Sequence, residues 1–86
     1  MFLWDDSKNE ILINSRGISF DEIVEAIELD INPLSIYKNE KYNDQYKMDV
    51  LIDAYVWVVV FEIRDDNYWL VTAFKNRKDN KKYKKD

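Results

Sequence analysis

The sequence predicts an α+β domain: two N-terminal helices packed on an antiparallel sheet of three to four strands, closed by a short basic helix or tail. Three observations carry this expectation. Apolar residues recur at helical spacing only before Pro33. After Pro33, β-branched and aromatic residues alternate or run together, as in strands. Asp53-Ala54 and Arg64-Asp65-Asp66-Asn67 then cut this half into pieces of hairpin length. Helices kept apart from an antiparallel meander make the α+β class.

Phe2-Leu3-Trp4 reads as a short strand fragment. Asp5, Asp6 and Ser7 offer N-caps, and Ser7 with Glu10 has the spacing of a capping box. A first helix over about 8–15 would turn Ile11 and Leu12 inward. Gly17, the single glycine, stands where a helix ends in the left-handed region. Ser19 and Glu22 form a second capping-box pair. Phe20, Ile23, Val24, Ile27 and Ile31 follow at helical spacing. Asn32-Pro33 breaks the pattern. Residues 34–37 fit a short strand, and 38–45 a polar loop. Met48, Val50 and Ile52 alternate with Lys47, Asp49, Leu51 and Asp53, the mark of a strand with one well buried face. Asp53-Ala54 suits a tight turn, although alanine replaces the glycine such turns prefer. Residues 55–63 are apolar on both faces and predict a central strand. Residues 68–74 form the next strand, and Trp57, Phe61, Trp69 and Phe74 are expected in the core.

Composition narrows the function. The chain has 86 residues, enough for one domain spanning 1–86. Aromatic content of 15% argues against disorder, although 35% of the residues are charged. There is no cysteine and no histidine, which excludes disulfides, thiolate chemistry and the Ser-His-Asp triad, and removes the commonest zinc ligand. The longest apolar run, Tyr55 to Phe61, is too short to span a bilayer. Met1-Phe2-Leu3-Trp4 meets Asp5-Asp6 at once, so no signal peptide and a cytoplasmic location without membrane contact are expected.

Charge is unevenly placed. Residues 75–86 hold seven bases and two acids, for a net +5, and residues 1–74 hold six bases and fifteen acids, for −9. A basic strip on an acidic body can hold phosphate where the strip is presented, while the rest repels nucleic acid. The same composition also fits a solvated lysine tail that keeps the body soluble. Asp21, Glu22, Glu25 and Glu28 read as a solvated face of the second helix, with docking of a basic arm of a partner as the functional alternative.

Several segments in order resemble one family. Phe2-Leu3-Trp4-Asp5, then Lys8-Asn9, then Arg16-Gly17-Ile18-Ser19-Phe20-Asp21-Glu22, resemble the opening of the BrnT-type toxins. That opening has an F-x-W-D start, a basic helix and a K/R-G-(V/I)-S-F-(D/E)-(D/E) link. Lys41-Tyr42-Asn43-Asp44-Gln45 resembles a K-Y-P-N-Q loop of one branch, and Asp53-Ala54-Tyr55 its D-G-Y hairpin. The end, Thr72 to Lys78 with Lys81-Lys82-Tyr83, resembles that branch's S-R-K-x-x-K-K-Y. Two departures stand out: Asn43 replaces the loop proline, and Phe74 aligns with the arginine of the family's I-S-A-R motif.

The resemblance implies a RelE-like fold and the toxin of a type II toxin–antitoxin pair. It implies RNA as substrate, a small DNA-binding antitoxin as partner, and no cofactor or metal. The 2′-hydroxyl of RNA can attack its own phosphate if that phosphate is positioned and its charge neutralised. Arg77, Lys78, Lys81 and Tyr83 would be the catalytic set. Arg77 would grip phosphate, the lysines would offset charge or take a proton, and Tyr83 would donate a proton or stack a base. Lys41, Tyr42, Lys75, Lys82 and Arg16 would contact RNA; at Arg16, compensation of the helix dipole is the competing explanation. The alternative function is an inactive module of the same fold that binds a DNA-binding antitoxin or regulator.

Overall fold

The protein is represented by a computed structural model, described here for residues 1–29 and 35–75. The elements run β1 (Phe2–Leu3), α1 (Asp6–Arg16), α2 (Phe20–Leu29), β2 (Ser35–Lys38), β3 (Gln45–Ile52), β4 (Tyr55–Arg64) and β5 (Asn67–Lys75). The α+β class is as expected. Ile31, the Asn32-Pro33 break, Leu34 and the basic segment beyond Lys75 lie outside the described residues.

The sheet differs from the expectation. It has five strands in the order β1-β5-β4-β3-β2. It is mixed, because β1 runs parallel to β5, with Phe2 opposite Tyr68 and Leu3 opposite Trp69. The Tyr68 N–H donates to the Met1 carbonyl at 2.9 Å. The other pairings are antiparallel. The strand fragment read at Phe2-Leu3 is present, but a two-residue strand whose partner lies at the far end of the described chain carries no local signal of its parallel pairing.

Both hairpins are two-residue turns. Asp53 and Ala54 stand at φ 52° and 64°, and Asp65 and Asp66 at 50° and 64°. Positive φ at both central positions matches the right-handed twist of the flanking strands. Aspartate tolerates this region, whereas alanine is strained there by roughly 1–2 kcal/mol. Gly17, at φ 70°, ends α1 by donating its N–H to the Ile13 carbonyl at 2.9 Å.

The two helices begin differently. At α2, Ser19 Oγ accepts the Glu22 N–H at 3.1 Å, the expected cap. At α1, Asp5 is the N-cap and makes no side-chain cap bond, so the Ser7–Glu10 pair does not start the helix. The helices are tied by Asn9, whose Oδ1 accepts the Phe20 N–H at 2.8 Å. That bond satisfies one of the amides that every helix start leaves open.

Both helices pack on one sheet face. Leu12, Ile18, Phe20, Ile23 and Ile27 meet Met48, Val50, Trp57, Val59, Phe61, Leu70 and Ala73. Trp4 lies 5.7 Å from Phe20, and Tyr68 meets Phe61 edge-on at 5.5 Å. The expected inward turn of α1 is half right: Leu12 is buried, whereas Ile11 is 64% exposed. β4 is central and apolar on both sides, as expected, with Val56, Val58 and Val60 buried on the face away from the helices. Asp49 shares that face and is only 2% exposed, against its reading as the solvent side of an alternating strand. It accepts from Ser35 Oγ at 3.0 Å and from Tyr37 Oη at 3.1 Å, which fastens β2 to β3.

Candidate nucleic-acid interface

β5 organises the candidate site. β1 covers only its first residues, so among the described strands nothing pairs with residues 71–75 on that side. Opposite Val60 and Phe61 the register shifts, because Leu70 pairs with Phe61 and Thr72 with Val60, which leaves Val71 as an extra residue. Beyond the shift, Thr72 and Phe74 point away from the helices, and Ala73 and Lys75 toward them.

On the face away from the helices lies a groove of about 780 Å³. Val60, Val71, Thr72 and Phe74 line it along the sheet, and Lys47 lines it from β3. The loop 39–44 supplies Asn39, Glu40, Lys41 and Tyr42. Asn39 shapes this loop. It is 7% exposed, its Oδ1 accepts the Lys41 N–H at 3.0 Å, and its Nδ2 donates to Gln45 Oε1 at 3.2 Å. Its own N–H donates to the Gln45 carbonyl at 3.0 Å, and the Gln45 N–H donates to the Tyr42 carbonyl at 3.1 Å. These bonds hold Lys41 and Tyr42 at the groove with their side chains exposed. Asn39 is a positioning residue that sequence reasoning missed. An asparagine at a strand end, six residues before a glutamine, was the available signal.

On the helix side, two smaller grooves flank the same strand. One, of about 220 Å³, is lined by Lys8, Ile11, Leu12 and Ser15 of α1 with Val71 and Thr72. The other, also about 220 Å³, is lined by Ser15, Arg16, Trp57 and Lys75. Arg16 reaches over Phe74, its guanidinium carbon 5.9 Å from the ring centroid. Lys75 Nζ sits 4.6 Å from the Tyr55 ring and 5.4 Å from the Trp57 ring. Such contacts orient a cation without neutralising it. Phe74 is therefore not core. It is half-buried between the large groove and Arg16.

The electrostatic pattern follows. Residues 1–74 carry six bases: Lys8, Arg16, Lys38, Lys41, Lys47 and Arg64. Four of them, with Lys75, line the grooves on either side of residues 71–75. Among the described residues, Glu40 is the one carboxylate in the large groove, and none lines the two smaller ones. Arg16 and Lys75 also line an adjoining groove of about 240 Å³, together with Glu22 and Asp53. Arg64 is spent elsewhere. Its Nη2 lies 2.6 Å from Glu62 Oε1, and it stacks over Trp69 at 5.2 Å. The hydrogen bond from Arg64, with a smaller contribution from Gln45, holds the Glu62 carboxyl below its ordinary value of 4.5 against the opposing effect of burial.

The expected RNA contacts thus divide in two. Lys41 and Tyr42 stand on one side of β5, and Arg16 and Lys75 on the other. No described groove contains both pairs. Arg77, Lys78, Lys81, Lys82 and Tyr83 lie outside the described residues. Sequence reasoning missed Lys8 and Lys47, because a lone lysine in a helix or strand is ordinarily solvated. Among the described residues no helix is long and apolar enough to cross a membrane. No protein-family model and no curated protein matches the chain.

Proposed function

We propose that this protein is the toxin of a type II toxin–antitoxin pair and an endoribonuclease acting on mRNA, with a small DNA-binding antitoxin as its partner. The observation that supports this reading is the basic collar around residues 71–75. In a body of net charge −9, four of six bases gather at one strand end, beside the point where the +5 segment begins. Exposed cations beside the exposed ring of Tyr42 suit a single strand, whose phosphates need neutralising and whose bases need a stacking partner.

The chemistry uses the substrate's own nucleophile. The RNA 2′-oxygen forms a bond to phosphorus as the P–O5′ bond breaks, leaving a 2′,3′-cyclic phosphate and a 5′-hydroxyl. One proton leaves the 2′-oxygen and one reaches O5′. Positive charge on the phosphate stabilises the crowded intermediate. The collar would position the strand, and Arg77, Lys78, Lys81 and Tyr83 would act at the phosphate.

The test is induced expression of the wild type, Arg77→Ala and Lys78→Ala, with growth and total RNA followed in each culture. Growth arrest with cleaved RNA in the wild type, lost in the variants, is the expected result. Soluble wild-type protein with normal growth and intact RNA would contradict it and favour the inactive, antitoxin-binding module.

A further inference from the structure

We propose that Arg16 and Lys75 form a phosphate-binding site at the end of β5. It rests on the RNA reading for the source of the phosphate, but not for its chemistry. The groove between these residues is about 220 Å³ and is lined by Ser15, Arg16, Trp57 and Lys75, with no carboxylate among the described residues. Among the described residues neither cation forms an ion pair, although the body carries fifteen acids. Two like charges facing one groove repel each other, and a bound anion lowers that cost on this side, as Glu22 and Asp53 do in the adjoining groove that both cations also line.

The aromatic residues prepare the pair. Phe74 lies under the Arg16 guanidinium, and Tyr55 and Trp57 flank the Lys75 ammonium. A guanidinium held over a ring can still offer N–H groups for two parallel bonds to phosphate oxygens. The end of α1 opposes an anion with a partial charge of about half an electron, well below the two full charges. Ser15 Oγ already donates to the Ile11 carbonyl at 2.6 Å and offers no free proton. Arg16 stands in the last turn of α1, where its charge also offsets the helix dipole, and it reaches over Phe74 at the groove.

Binding of a fluorescent oligouridylate to the full chain, measured across salt concentrations, tests the site, with inorganic phosphate titrated in parallel by calorimetry. The R16Q/K75Q variant should bind the oligomer about tenfold more weakly. Its plot of log affinity against log salt should be shallower by about 0.7, the loss of one phosphate contact on a single strand. R16K should fall between this variant and the wild type, and R64Q should match the wild type. Thermal melts by circular dichroism confirm that each variant folds. An R16Q/K75Q affinity and salt slope equal to wild type overturn the site while leaving RNA binding intact. Wild-type binding of phosphate but not of the oligomer, lost in R16Q/K75Q, upholds the site and removes the RNA reading. Binding of neither probe overturns both.

Discussion

The two helices are nearly equal in length, eleven and ten residues, yet they are built for different work. α2 buries Phe20, Ile23 and Ile27 and carries acids but no base in its outer turns. α1 buries only Leu12 and leaves Ile11 and Ile13 exposed. Its two bases, Lys8 and Arg16, border the β5 grooves. α2 holds the fold, and α1 carries charge to the stretch of β5 that β1 does not cover. A marginally stable domain of this size cannot spend both helices on function.

The largest expected effect breaks α2. Ile23→Ala removes a fully buried side chain and should cost about 3–4 kcal/mol in urea unfolding. The matching change in α1, Ile13→Ala, should stay within about 0.5 kcal/mol, because Ile13 is 45% exposed. Equal losses would end the division of labour between the helices.

Next in size is the tie between them. Asn9→Ala orphans the amide of Phe20, a residue with no exposed surface, and should cost about 1–2 kcal/mol. A neutral outcome by the same unfolding assay would mean that the two helices are held by apolar packing alone.

A smaller effect depends on pH. Glu62 is more acidic in the folded chain than its ordinary 4.5, so its contribution is present above that value and fades as pH falls through its lower folded value. Because Arg64 is 55% exposed, the pair should contribute under about 1 kcal/mol. Glu62→Gln should therefore lose stability at neutral pH, and the gap to wild type should narrow below pH 4.5 in acid titrations. A gap that widens in acid would reverse the assignment.

The smallest effect is a gain. Ala54→Gly relieves left-handed strain at φ 64° and gives back part of it as chain entropy, for a net stabilisation of about 0.5 kcal/mol. A lower thermal midpoint would mean that the Ala54 methyl group contributes packing that offsets its strain.

The patterns legible in the sequence were those set by neighbours along the chain. Helical spacing located α2, Ser19 announced its cap, and two-sided apolar character marked β4 as central. Asp53-Ala54 was readable as a turn even without glycine. What escaped depended on contacts between distant residues. β1 finds its partner across the whole described chain, and Asp49 is buried because Ser35 and Tyr37 come from another strand. Phe74 looked like core because apolar residues in strands usually are. Its position on β5 beyond the reach of β1 makes it a platform for Arg16 instead. The site was half legible: Lys41, Tyr42, Arg16 and Lys75 were named, but Lys8, Lys47 and Asn39 join them only through the fold.

The central claim is that the cations around residues 71–75 face RNA. It is tested most directly by the affinity of a labelled oligoribonucleotide for Lys41→Glu/Lys47→Glu beside Lys38→Glu, a reversal on β2 outside these grooves. The account predicts that the double reversal at the large groove abolishes binding at moderate salt, while Lys38→Glu weakens it only slightly. Equal weakening per reversed charge at both places would show that RNA responds to net charge alone and would contradict the collar.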